Sequence, residues 1–139
     1  MANYTTPNTQ YSKKAAYSDF DTDFNVHPVT GKLSVLKDAE AVKQAVKNLI
    51  LTKKLERPYE PFYGSNVVGA LFEPIDALTG SMLEKDIEVA IRNFEPRASL
   101  ISVAVLPDED NNLVTLKILF SITNIRDPQR LELNLERIR

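Results

Sequence analysis

Ile91-Arg92-Asn93-Phe94-Glu95-Pro96-Arg97-Ala98-Ser99-Leu100 divides the chain into two kinds of periodicity. Before this stretch apolar residues recur at helical spacing; after it they alternate with period two. Pro96 makes the boundary sharp. Its ring disfavours helical geometry for Glu95, so a helix arriving through Ile91 and Phe94 stops there and a strand leaves from Arg97. Glu95 and Arg97 thus become opposite charges at a helix-to-strand corner. Residues two apart do not face each other on a helix. The expectation is that each finds its partner elsewhere in the fold or on another protein.

Upstream of the corner, Thr79 or Ser81 is expected to open a helix that buries Leu83, Ile87, Ala90, Ile91 and Phe94. An earlier helix opens at Asp38, an expected N-cap, with Glu40 in the first turn. Val42, Ala45, Val46, Leu49 and Ile50 follow the i, i+3, i+4 pattern, and the end is placed near Lys53–Leu55. Between the helices, residues 56–65 hold two prolines, a glycine and three aromatics. This segment is irregular, and its rings are expected to pack on something. Ser65 is expected to cap a short helix through Val68, Leu71 and Phe72, which Glu73-Pro74 interrupts.

Downstream, Ile101, Val103 and Val105 are expected to share a strand face. A loop spans Pro107–Asn112. A second strand from Asn112 to Thr123 places Val114, Leu116, Ile118, Phe120 and Ile122 on one side. Asn124 to Pro128 turns the chain. In the third strand Leu131, Leu133 and Leu135 alternate with Glu132, Asn134 and Glu136, the leucines facing the helices. Near the N-terminus, Phe20 to Val26 reads as extended. His27-Pro28-Val29-Thr30-Gly31 reads as a turn flanked by Val26, Leu33 and Val35. The fold class is α+β: helices on one face of a C-terminal three-stranded antiparallel meander, with a short N-terminal hairpin. Residues 1–19 are polar and aperiodic and are expected to be a flexible arm; 20–139 form one domain.

The chain has 139 residues, enough for one self-sufficient core. A net charge of −2 gives no electrostatic argument for nucleic acid or an anionic membrane. The absence of cysteine removes disulfides, thiolate metal sites and cysteine nucleophiles. No apolar run approaches the roughly 20 residues of a membrane span, and no signal-peptide core is seen, so a cytoplasmic product is expected. No nucleophile-elbow, zinc-protease, phosphate-loop or dinucleotide motif is present. His27, the one histidine, reads as a structural hydrogen-bonding residue. With 19 Asp and Glu, close carboxylates are unavoidable and do not by themselves mark a glycosidase. No catalytic, cofactor or metal residue is expected.

Several motifs in register resemble a known family. The turn at 27–31 follows an aromatic segment. The helix from Asp38 to Leu51 runs into Leu51-Thr52-Lys53-Lys54-Leu55-Glu56-Arg57-Pro58-Tyr59-Glu60-Pro61. Phe62-Tyr63-Gly64-Ser65, Leu71-Phe72-Glu73-Pro74 and Glu95-Pro96-Arg97 come next. Over residues 20–139 this order resembles the contractile-tail baseplate wedge family, the sheath-initiator proteins of myoviruses and their type VI secretion counterparts. Leu55 departs from it, since glycine is expected there in many relatives. The resemblance implies a structural role in a virion tail baseplate assembled in the host cytoplasm. Its implied partners are other wedge proteins and the tail sheath subunit, with no nucleic acid, membrane or cofactor. It implies a wedge interface at Glu95, Pro96 and Arg97. The strand of Leu131, Glu132, Leu133, Asn134, Leu135 and Glu136 would be the sheath template, because an open edge invites another chain's strand. A lysozyme activity has also been attached to the family, which makes a carboxylate-pair muramidase the alternative.

Overall fold

The computed structural model describes residues 15–72, 77–108 and 111–136. The elements are β1 (Ser18–Phe20), β2 (Val35–Lys37), α1 (Ala39–Leu51), α2 (Val67–Ala70), α3 (Ala77–Phe94), β3 (Ala98–Asp108), β4 (Leu113–Ile122) and β5 (Ile125–Glu136). β1 and β2 form a small antiparallel hairpin, and β3-β4-β5 form a three-stranded antiparallel sheet with β4 in the centre. The α+β architecture is therefore the one the periodicities predict.

Every second residue of β4, from Val114 through Leu116, Ile118 and Phe120 to Ile122, is buried. This face meets Val42, Val46, Leu49 and Ile50 of α1 and Leu83, Ile87, Ala90 and Ile91 of α3 in one continuous core. Leu133 is buried, while Leu131 and Leu135 pack on the core half-exposed. A central strand with one apolar face and two helices to cover it explains why no staple is needed.

Hydrogen bonds outside the ladder fix which way the strand edges point. The Val105 N–H donates to the Glu84 carboxylate at 3.0 Å, away from β4. Val105 lies opposite Leu116, so the main-chain groups of Leu116 turn to β5, where Leu133 is the partner. The Thr123 N–H reaches Arg97 at 3.1 Å, which agrees with odd-numbered β4 residues turning to β3. The same alternation accommodates Pro107. It sits opposite Val114, where a β3 residue points its nitrogen outward and the ladder loses nothing. On β5 the main-chain groups of Leu131, Leu133 and Leu135 bond β4. Those of Glu132, Asn134 and Glu136 face the outer edge.

Local geometry differs from the expectations at several points. A bulge between Leu100 and Ser102 shifts the register, so Leu100 and Val103 reach the core and Ile101 is exposed. Pro107 and Asp108 belong to β3 rather than to the loop. The turn after β4 is only Thr123-Asn124, with Asn124 at φ 73. The residues around Pro128 bulge within β5, between the pairs Phe120–Gln129 and Ile122–Ile125. α1 ends at Leu51, short of the lysines, and Ala45 is only half-buried. Thr79 and Ser81 lie inside α3, which already includes Ala77. Asp38 holds the N-cap position of α1, its carbonyl accepting the Val42 N–H, but its side chain makes no cap hydrogen bond. At φ 47, its carboxylate instead accepts the N–H groups of Ala16 (2.8 Å) and Tyr17 (3.3 Å).

The N-terminal segment divides. Residues 1–14, with Tyr4 and Tyr11, lie outside the described residues, as do Glu73-Pro74 and the tip at 109–110. Residues 15–19 of the expected arm are tied to the fold, since Tyr17 packs on the core and Ser18 begins β1. Phe20 to Val26 is not one extended run. A turn at Thr22-Asp23 and Phe24 at φ 50 interrupt it before the Val26–Leu33 bridge. The 27–31 turn forms as expected: Gly31 has φ +63 and donates to the His27 carbonyl. His27 Nδ1 accepts from Val29 and Thr30 N–H at 3.3 and 3.4 Å, a structural role.

Candidate interaction site at the helix-to-strand corner

Glu95, Pro96, Arg97 and Ala98 form a tight turn closed by the Ala98 N–H on the Glu95 carbonyl at 3.0 Å. Proline at the second position pre-sets the required dihedral. Because the corner is a turn rather than a continuing helix, Glu95 and Arg97 converge although they are two apart. Arg97 donates through Nε to Glu95 Oε1 and through a terminal nitrogen to Oε2, both at 2.6 Å. The expectation that the two charges find separate partners is thus corrected: they pair with each other in a two-pronged bridge. Glu95 is only 5% exposed, whereas Arg97 keeps a third of its side chain in solvent. The bond to Glu95 raises the Arg97 pKa against the opposing effect of burial, with added contributions from the charges of Glu95 and Asp19. Pro96 is exposed.

Two elements that the sequence did not connect to this corner meet it. The Tyr17 ring lies 5.6 Å from the Arg97 guanidinium, brought there by the Asp38 clamp. Tyr63 packs edge-on against Phe94 at 5.3 Å, and Arg57 stacks on Tyr63 at 3.8 Å. No local signal ties Tyr17 to Arg97, because their contact spans most of the chain. The loop carrying Tyr63 is anchored by Ser65, whose hydroxyl donates to the Ile50 carbonyl and accepts from Val67 N–H. Contrary to expectation, Tyr59 and Phe62 do not pack; Tyr59 is 98% exposed.

Several carboxylates already have partners within the fold. A groove of about 800 Å³ lies between α3 and the β3 edge and holds Glu84 and Glu88. Glu84 accepts the Val105 N–H. Glu88 is held below the usual carboxylate range first by the hydrogen bond from Lys85, then by the charges of Lys85 and Arg92. That is opposite to the raised pKa a glycosidase acid requires. Glu60 faces Arg57 at 3.7 Å and Glu56 accepts the Lys53 N–H; Glu73 is outside the described residues. No observation favours the muramidase alternative. Among the described residues no group of three or more His, Asp or Glu is placed to hold a metal, and no helix is long and apolar enough to cross a membrane.

An antiparallel sheet covered by two helices, with a charged pair locked at the helix-to-strand turn, defines the α+β scaffold of the chain. Residues 36–126 match the family described as Baseplate wedge protein gp25, and the chain belongs to that family. It is 32% identical over 123 residues to Baseplate wedge protein gp25 of Enterobacteria phage T4, covering 86% of this chain and 90% of that protein. A chain of the anti-feeding prophage baseplate is similar in structure, with TM-score 0.67, 28% identity, and coverage of 80% of this chain and 89% of that one. A putative tail lysozyme from Geobacter sulfurreducens has the same fold at TM-score 0.67 and 22% identity, covering 76% and 97%. At that identity the likeness concerns fold alone. The chain is therefore a structural component of the baseplate wedge of a contractile phage or phage-like tail.

Proposed function

We propose that the chain joins the wedge through the Glu95-Pro96-Arg97 corner and templates the first sheath ring with the outer edge of β5, Leu131 to Glu136. The carrying observation is the inequality of the two sheet edges. On β3, Glu84 already occupies the outward Val105 N–H. On β5, alternation turns the main-chain groups of Glu132, Asn134 and Glu136 outward, and no described element pairs with that edge. Such an edge accepts a strand from another chain through main-chain bonds. The partners on this reading are neighbouring wedge proteins and the sheath subunit, met in the host cytoplasm, with no nucleic acid, membrane, metal or cofactor.

Proline substitution tests it, because it deletes one outward donor and blocks one ladder position. Asn134→Pro is expected to leave a folded monomer and a complete wedge on which sheath does not polymerise. Leu133→Pro, whose N–H serves the internal ladder, is expected to destabilise the monomer itself. Normal sheath growth from Asn134→Pro baseplates removes the template role from β5.

A further inference from the structure

The outer edge of β3 is closed by chemistry rather than by lack of space. Ser99, Ser102, Ala104 and Leu106 lie opposite Ser121, Leu119, Lys117 and Thr115, the odd-numbered β4 residues that turn to β3. Ala98, Leu100, Val103, Val105 and Pro107 therefore direct their main-chain groups away from β4. Beside the first part of this edge, from Ala98 to Val103, the groove of about 800 Å³ separates it from α3 and leaves room for another strand.

The outward donors are nevertheless interrupted, each in a different way. The Ala98 N–H closes the turn on the Glu95 carbonyl at 3.0 Å. The bulge between Leu100 and Ser102 puts Leu100 out of step with Val103. The Val105 N–H donates to Glu84 Oε1 at 3.0 Å. Pro107 has no N–H to offer. A joining strand needs donors at two-residue intervals. β5 has that spacing at Glu132, Asn134 and Glu136, and β3 has it at Val103, Val105 and Pro107. Of the three β3 positions, the proline ring removes one and Glu84 holds the middle one. α3 places Glu84 there, because Leu83 and Ile87 on either side of it are buried in the core and fix that turn of the helix against the sheet.

We propose that Glu84 is a specificity-determining residue of the sheet: by holding the Val105 N–H it shuts β3 to strand addition, so that pairing with a neighbouring chain is confined to the opposite edge. The role belongs to β3 and is read in the free chain. It therefore stands or falls separately from the sheath-template role given to β5.

A second copy of the chain is the probe, because it brings strand edges of its own. Glu84→Ala/Pro107→Thr offers outward donors at 103, 105 and 107. Glu84→Gln/Pro107→Thr has the same backbone, but its amide oxygen still accepts the Val105 N–H. Sedimentation velocity over a concentration series is combined with amide exchange. The alanine form is expected to self-associate as concentration rises, with slowed exchange at Val103 and Val105, while the glutamine form sediments like wild type. Equal association of the two forms overturns the proposal. So does an alanine form that sediments like wild type, or one that associates without protecting those amides. Glu84→Ala alone, with Pro107 in place, is read in the same way. It is expected to keep a cooperative melt, to exchange the Val105 amide faster when dilute, and to associate more than wild type. Unfolding of this single variant assigns Glu84 to stability and overturns the proposal, as does sedimentation identical to wild type.

Discussion

At the scale of single residues, the Glu95–Arg97 bridge has a stability role that any interface role must be separated from. Glu95 is buried with Arg97 as its charged partner. Arg97→Ala is therefore expected to destabilise the monomer by about 1.5–3 kcal/mol, the range for hydrogen bonds to charged groups. An apolar pair of similar volume, Glu95→Leu/Arg97→Met, is expected to recover most of that loss in denaturant melts, because it removes both desolvated charges together. If the corner also binds the wedge, the double variant stays folded yet assembles poorly. Recovery of assembly along with stability assigns the pair to the fold alone. Leu55 offers a second test. It sits at φ 71, the left-handed region, where many relatives are expected to carry glycine. A side chain there costs roughly 1–2 kcal/mol, and Leu55 is exposed, so it recovers little by burial. Leu55→Gly is expected to stabilise the chain by up to about 1 kcal/mol, read as a higher denaturant midpoint with unchanged slope. A lower midpoint means that the leucine makes contacts which outweigh its backbone strain.

At the scale of elements, α3 carries a pH-dependent brace on its exposed side. Glu88 bonds Lys85 at 2.9 Å and Arg92 at 2.6 Å, which lowers its pKa from the ordinary 4.5. The folded chain thus binds fewer protons here than the unfolded chain near that pH. The stabilisation is fully present above the unfolded value and is lost as pH falls through the lower, folded value. Glu88→Gln is expected to melt below wild type at neutral pH, and the gap is expected to narrow as pH falls below the ordinary 4.5. A gap that persists in acid excludes the ion pairs as its source. In β5 the two sides of the strand predict different outcomes. Leu133→Ala removes a buried side chain and is expected to cost about 2–5 kcal/mol. Glu132→Ala, on the exposed face, is expected to be near neutral.

For the whole molecule, one core spans α1, α3 and the sheet, so it should unfold as a unit, while the β1–β2 hairpin contributes no residue to the fully buried set. Amide exchange is expected to show the β4 amides opening only with global unfolding and those of Phe20 and Val35 opening at lower free energy. Uniform protection across both contradicts that division. The sequence by itself determined the periodic parts. β4 alternates without fault and α1 and α3 carry continuous apolar stripes, and such patterns depend on a residue's nearest neighbours along one element. It also placed the sharp break at Pro96, because proline constrains its own φ and the residue before it. What only the tertiary structure decided depends on partners distant in the chain or on main-chain geometry without a side-chain signature. The Leu100–Ser102 bulge exposed Ile101 although the letters still alternate. The Asp38 carboxylate turned from its own helix to Ala16 and Tyr17, since two outside donors were within reach. Glu95 and Arg97 met because a four-residue turn, rather than a continuing helix, joins α3 to β3 and brings these two side chains together.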